Sequence, residues 1–217
     1  MDNKKEMERA ELHRAIWQIA NDLRGSVATG GDFKQYVLGT LFYRYISEKL
    51  TNYLNDEARE AYEAGDESAK DFDYAAISDA KAESEKDNIV QMFGFFILPS
   101  ELFANVRKNA LNNEDINETL ERVFRHIENS AQGTPSADDL MGLFYDFDVN
   151  SLNLGATLKE RNTRLVKLLN AIGDMRLGEY QDHVIDTFGD AYEYLMRMYA
   201  ANAGKSGGEY YTPQEVS

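Results

Sequence analysis

The stretch FKQYVLGTLFYRYISEKLTNYLN, residues 33–55, decides the fold. Tyr36, Val37, Leu41, Phe42, Tyr45, Ile46, Leu50, Tyr53 and Leu54 make it apolar nearly all round. A helix with so little polar surface is normally buried within a domain. The stretch therefore predicts a central helix from Phe33 to about Asn55. Asp32 followed by Gln35 resembles a capping box at its start, the carboxylate accepting from backbone N–H groups of the first turn.

Upstream, Leu12, Ile16, Ile19 and Leu23 recur at i, i+4, i+7 and i+11, one face of an amphipathic helix ended by Gly25 and the break Thr29-Gly30-Gly31. Downstream, residues 56–87 hold twelve carboxylates against Arg59, Lys70, Lys81 and Lys86, a net −8. This reads as a solvated, partly mobile surface excursion with a short helix near Glu57 to Ala64, or as a docking site for a basic partner. Ile89 to Leu98 is too short for a typical helix, and Pro99 pushes the preceding residue towards an extended conformation. It is expected to be a buried strand or an apolar loop. Ile116, Leu120, Val123 and Ile127 restart the helical spacing until Gln132-Gly133-Thr134-Pro135-Ser136 stops it. Leu140 to Val149 is a short apolar segment. Leu158, Leu165, Leu169 and Ile172 then share one helix face, and Asp190 to Ala203 forms a last helix ending at Gly204. The fold expected is all-α or nearly so, one helical domain from about Leu12 to Ala203.

Composition bounds the chemistry. The 217 residues are 43% hydrophobic, and 13 Tyr, 11 Phe and one Trp can fill a core. There is no cysteine, which removes disulfides and thiolate chemistry and suits a reducing cytoplasm. Met1 to Arg9 lacks the apolar stretch of a secretory signal, and no run approaches the ~18 apolar residues that span a bilayer. A cytoplasmic protein with no membrane association is expected. The net charge of −15 argues against autonomous nucleic-acid binding. Within so acidic a chain, Lys159, Arg161, Arg164 and Lys167 lie opposite the leucines of the helix from Ala156 to Ile172, with only Glu160 to offset them. They are the candidates for a local phosphate or acidic-partner contact, the alternative being a solvated face.

Three apparent motifs fail. His13, His126 and His183 have no partner at i+3 or i+4, so no metal site is expected. Asp146 to Asn150 has the alternating oxygens of a calcium loop, but Ser151 stands at the glycine position and Thr157-Leu158 where the bidentate glutamate belongs. Gly204-Lys205-Ser206 is similar to the end of a phosphate-binding loop, yet its first glycine is replaced by Tyr199 and a helix, not a strand, precedes it.

The segment Gly207-Gly208-Glu209-Tyr210-Tyr211-Thr212-Pro213-Gln214-Glu215-Val216 has ligand-binding potential. Its glycines permit close backbone approach, its tyrosines offer rings for stacking, and Pro213 suits the first turn of a helix. It resembles the segment opening the catalytic domain of the modification subunit of type I restriction–modification systems, S-adenosylmethionine-dependent DNA adenine-N6 methyltransferases. The likeness continues upstream in order. Trp17 and Leu23-Arg24-Gly25, Tyr36 to Ser47, Phe95-Phe96-Ile97-Leu98-Pro99, Leu154-Gly155 with Arg161-Asn162, and Phe188 to Leu195 each resemble segments of that family.

The resemblance implies a mainly α chain: a helical N-terminal domain over residues 1–203, then, over 204–217, the first segment of a truncated α/β methyltransferase domain. It implies an assembly and DNA-closure role beside a specificity subunit and a second modification subunit, with a restriction subunit in the full complex and DNA bound only in the assembled enzyme. It nominates Glu209, Tyr210, Tyr211, Thr212, Pro213 and Gln214 for S-adenosylmethionine. Adenine-N6 transfer needs an Asn/Asp-Pro-Pro-aromatic motif to hold the flipped base. The three prolines, Pro99, Pro135 and Pro213, are isolated, and the family's glycine-rich cofactor loop is absent. No catalytic residue is therefore expected in this chain, which reads as part of a longer subunit and is expected to be inactive alone. The competing expectation is a free-standing helical interaction module unrelated to methylation.

Overall fold

The computed structural model describes residues 14, 18, 19, 21, 34–135, 137–140 and 144–175. Among the described residues from Lys34 onward, seven α-helices follow one another: α1 (Lys34–Glu63), α2 (Asp79–Ser84), α3 (Lys86–Phe93), α4 (Phe103–Asn109), α5 (Ile116–Ser130), α6 (Ala137–Leu140) and α7 (Leu158–Asp174). No strand occurs among the described residues, in line with the expected fold class. Of the first expected helix, Arg14, Gln18, Ile19 and Asn21 are described; all are helical, and Ile19 is buried as its face requires. Asp32, His13, His183 and the expected helix Asp190 to Ala203 lie outside the described residues.

The central helix is α1, which packs against α4 and α7, while α7 also packs on α4 and α5. Tyr36, Val37, Leu41, Tyr43, Ile46 and Leu50 are buried, as is most of the helix to that point. Its end differs from expectation. No helix breaker lies between Asn55 and Glu63, and Ala58, Ala61 and the glutamates are good helix formers, so the expected short helix near Glu57 is the continuation of α1. Termination comes at Gly65, φ +105, where the N–H groups of Gly65 and Asp66 reach back to the carbonyls of Tyr62 and Ala61. That is a Schellman ending, which glycine adopts without strain.

The acidic stretch is pinned at defined points rather than merely solvated. Tyr74 is buried, its hydroxyl donating to the Ile97 carbonyl at 2.8 Å and its N–H to Asn55 Oδ1 at 2.8 Å. The Asp79 carboxylate accepts from the Ser100 backbone N–H and hydroxyl. Ala82 is buried from α2. Most of the carboxylates remain at the surface.

The segment Ile89 to Leu98 also departs from expectation. Its first half is helical, because α3 begins at Lys86, ahead of the apolar run, and stops at Gly94, φ 79. Phe95, Phe96 and Ile97 then run without regular structure through the core, and Leu98 is extended ahead of Pro99 as anticipated. In α5, Ile116, Leu120, Val123 and Ile127 are all buried, with Phe124 beside them. Phe124 stacks on Phe144 at 4.0 Å and meets Tyr43 and Phe147 edge-on, joining α1, α5 and the segment after α6. On α7, Leu165, Leu169 and Ile172 are buried, but Leu158 is 45% exposed. It sits in the first turn, at the helix end, and Leu168 fills the core instead.

Candidate functional site

The basic helix α7 starts from a full capping box. Thr157 Oγ1 accepts from the Glu160 N–H, and Glu160 Oε2 accepts from the N–H groups of Thr157 and Ala156. Those backbone bonds, from Thr157 first, hold the Glu160 carboxyl below the ordinary glutamate value. The turn before it depends on Gly155, at φ +150, where a Cβ would stand 2.5 Å from Glu160 Cβ. Arg161 and Arg164 fold back over this turn: Arg161 Nη1 donates to the Gly155 carbonyl at 3.2 Å and Arg164 Nη1 to that of Leu154. Asn162 is buried and donates to the Glu114 carbonyl.

Of the four basic residues that are candidates for a phosphate or acidic-partner contact, Arg161 and Arg164 are thus half-buried and engaged with loop carbonyls. Lys159 and Lys167 are exposed and form no ion pair with any described residue. Eight residues apart on one helix, they stand roughly 12 Å apart along its axis. Two ammonium groups so placed can meet an anionic surface, while the two guanidiniums hold the turn that starts the helix.

The other segments that carry the family likeness are also structural here. Arg44 pairs with Glu48 at 2.6 Å and donates from Nη1 to the carbonyls of Ile172 and Met175 at 2.6 and 2.9 Å, capping the far end of α7. A cation there also complements the helix dipole. Tyr36 donates to the Asp148 carbonyl at 2.8 Å. Gly39 lets Phe147 approach, since a Cβ would lie 2.7 Å from its ring. The Phe96 N–H donates to Ser130 Oγ at 2.8 Å.

The structure also assembles a group that spacing did not reveal. Glu101, on the turn after Pro99, is only 4% exposed. Its Oε1 lies 2.7 Å from His126 Nδ1 and 3.8 Å from Arg122 Nε, both on α5. Tyr43 donates its hydroxyl to the Glu101 carbonyl oxygen. Burial raises the Glu101 carboxyl above the ordinary glutamate value; His126 and Arg122 oppose that rise and Asp79 adds to it. The pair faces a groove of about 450 Å³ between α3 and α5. Glu101 and His126 stand 25 residues apart on different elements, so no local pattern marks them.

Among the described residues, no group of three or more His, Asp or Glu is arranged to hold a metal ion. No described helix is long and apolar enough to cross a membrane. Glu209, Tyr210, Tyr211, Thr212, Pro213 and Gln214 lie outside the described residues.

Known proteins resemble this chain along its whole length. The family model of the HsdM N-terminal domain matches residues 12–172, and that of the N-6 DNA methylases matches residues 183–217. The type I restriction enzyme MpnII methylase subunit of Mycoplasma pneumoniae is 44% identical over 224 residues, which cover 100% of this chain and 40% of that protein. The crystal structure of the type I restriction-modification system methyltransferase subunit from Streptococcus thermophilus aligns with a TM-score of 0.70 at 28% identity. The alignment covers 96% of this chain and 42% of that subunit. The chain thus spans about two-fifths of the length of these relatives.

Proposed function

The chain belongs to the HsdM N-terminal domain family, and from that membership we propose that it is the assembly and DNA-closure domain of a type I restriction–modification methyltransferase subunit. In full length that subunit transfers a methyl group from S-adenosylmethionine to adenine N6 in DNA. It works in the cytoplasm with a specificity subunit, a second modification subunit and, in the full complex, a restriction subunit. The observation that carries the reading is the order of the two family matches, the helical domain over 12–172 followed directly by the methylase match over 183–217. Family membership leaves no support for a free-standing module unrelated to methylation.

In this reading Glu209 to Gln214 line the methionine end of the cofactor, and the chain alone is inactive because the adenine-holding motif is absent. Lys159 and Lys167, the exposed cations of α7, approach phosphate when the specificity subunit holds the duplex. Coulomb repulsion from a −15 body keeps the free chain off DNA. The test is cofactor binding by the full-length subunit. Tyr211→Ala and Thr212→Ala are each expected to weaken it by about 1–2 kcal/mol, the loss of one ring contact or hydrogen bond. Unchanged affinity in both variants contradicts the assignment.

A further inference from the structure

The groove between α3 and α5 contains the most deeply buried charge among the described residues, Glu101, whose ionic partners His126 and Arg122 both meet Oε1. Glu101 Oε1 is engaged by His126, but Oε2 receives no hydrogen bond from any described residue. Glu101 lines the groove, so the acceptor capacity that His126 leaves free is open to a donor entering from outside these residues. Glu83 and Asp87 stand at the groove with Glu101, three carboxylates against Lys86 and His126, so the lining is net negative. The chemistry therefore calls for a cation.

The floor says what kind. Val90, Phe96 and Leu98 line it, an apolar surface that suits a methylene stem. The Phe96 ring already has the Lys86 ammonium 5.6 Å from its centroid, held at the rim by Glu83 at 3.0 Å. That face accepts positive charge. A bare metal ion has no use for this apolar floor. A volume of about 450 Å³ is also far more than one ion needs. Guanidinium matches better than ammonium, since it is less strongly hydrated and its planar fork pairs with carboxylates.

We propose that this groove receives an arginine side chain from a partner protein, its stem on Phe96 and Leu98 and its head on Glu101 Oε2. Charge complementarity selects the partner: the groove mouth belongs to the stretch 56–87, whose net −8 favours a basic segment over an acidic or nucleic-acid one. The groove is made of described residues alone, and arginine binding there stands independently of the methyltransferase reading.

The test titrates acetyl-Gly-Arg-Gly-amide, and the same peptide with uncharged citrulline, into the 217-residue chain carrying labelled methyl groups. The arginine peptide is expected to give saturable shifts at the methyls of Val90 and Leu98. Citrulline, or the variant Glu101→Gln, is expected to weaken binding by about tenfold or more, as for losing a charged hydrogen bond. Glu83→Gln with Asp87→Asn changes only exposed rim positions and is expected to weaken binding several-fold. If Glu101→Gln fails to fold, the rim pair decides. Equal binding of citrulline, unchanged affinity in the folded variants, shifts confined elsewhere, or inorganic phosphate displacing the peptide from these methyls overturns the proposal.

Discussion

Replacing Gly155 by alanine tests whether the turn before α7 is built on glycine for two separable reasons. The first is conformational: at φ +150 an L-residue is strained, a cost of ~1–3 kcal/mol. The second is steric. The new Cβ would lie 2.5 Å from Glu160 Cβ and 3.0 Å from the Arg161 backbone nitrogen, so the turn must move by about an ångström relative to the helix. That movement breaks the bonds from Ala156 and Thr157 to Glu160 Oε2, now 2.8 and 3.2 Å. Losing a helix cap costs ~1 kcal/mol. The total is about 3 kcal/mol, or a fall in Tm of roughly 6–12 °C at this chain length. Gly133 supplies the control, for it has φ +81 but nothing within 4 Å of the point where a Cβ would stand. Gly133→Ala is expected to cost only the conformational part, ~1–2 kcal/mol. Urea unfolding of the 217-residue chain reads both, as midpoint shifts at constant slope. A Gly155→Ala variant no less stable than Gly133→Ala refutes the steric and capping argument.

Two further outcomes follow from the site geometry. Burial raises the Glu101 carboxyl, so the native state holds this proton more tightly than the unfolded chain does. The associated stability is full below the ordinary glutamate value of 4.5 and is lost as pH rises through the folded pKa. The stability of Glu101→Gln relative to the parent is therefore expected to increase from pH 4.5 upwards and level off above the folded pKa; a difference that falls over that range contradicts the sign. In the assembled enzyme, Lys159→Ala with Lys167→Ala is expected to lower the slope of log DNA affinity against log salt by about two units, equally for cognate and non-cognate duplex. Arg161→Ala is expected to destabilise the chain and leave that slope alone; a lowered slope in Arg161→Ala with unchanged slope in the lysine pair reverses the roles assigned to these cations.

The amino-acid sequence by itself determined the long helices α1, α5 and α7 and most of their buried faces, because helix formation and amphipathicity are local. Ile116, Leu120, Val123 and Ile127 on α5, and Tyr36 to Leu50 on α1, declare their burial through spacing alone. The family was legible too, through short segments such as Leu154-Gly155 with Arg161-Asn162 in the right order. What those residues do in the fold was not legible. Gly155 excludes a Cβ that would strike Glu160, Arg161 returns to the Gly155 carbonyl, and Asn162 reaches Glu114 across 48 residues. Spacing placed four cations on one helix, but only the tertiary structure divided them into two that hold a turn and two that face solvent. It likewise set the true end of α1, where Gly65 rather than a change of polarity stops the helix, and the division of Ile89 to Leu98 at Gly94. The Glu101–His126 groove belongs wholly to the tertiary structure. A carboxylate on one turn and an imidazole on a helix 25 residues later interact only after the core of α1, α4 and α5 has closed around them, and no local periodicity encodes that approach.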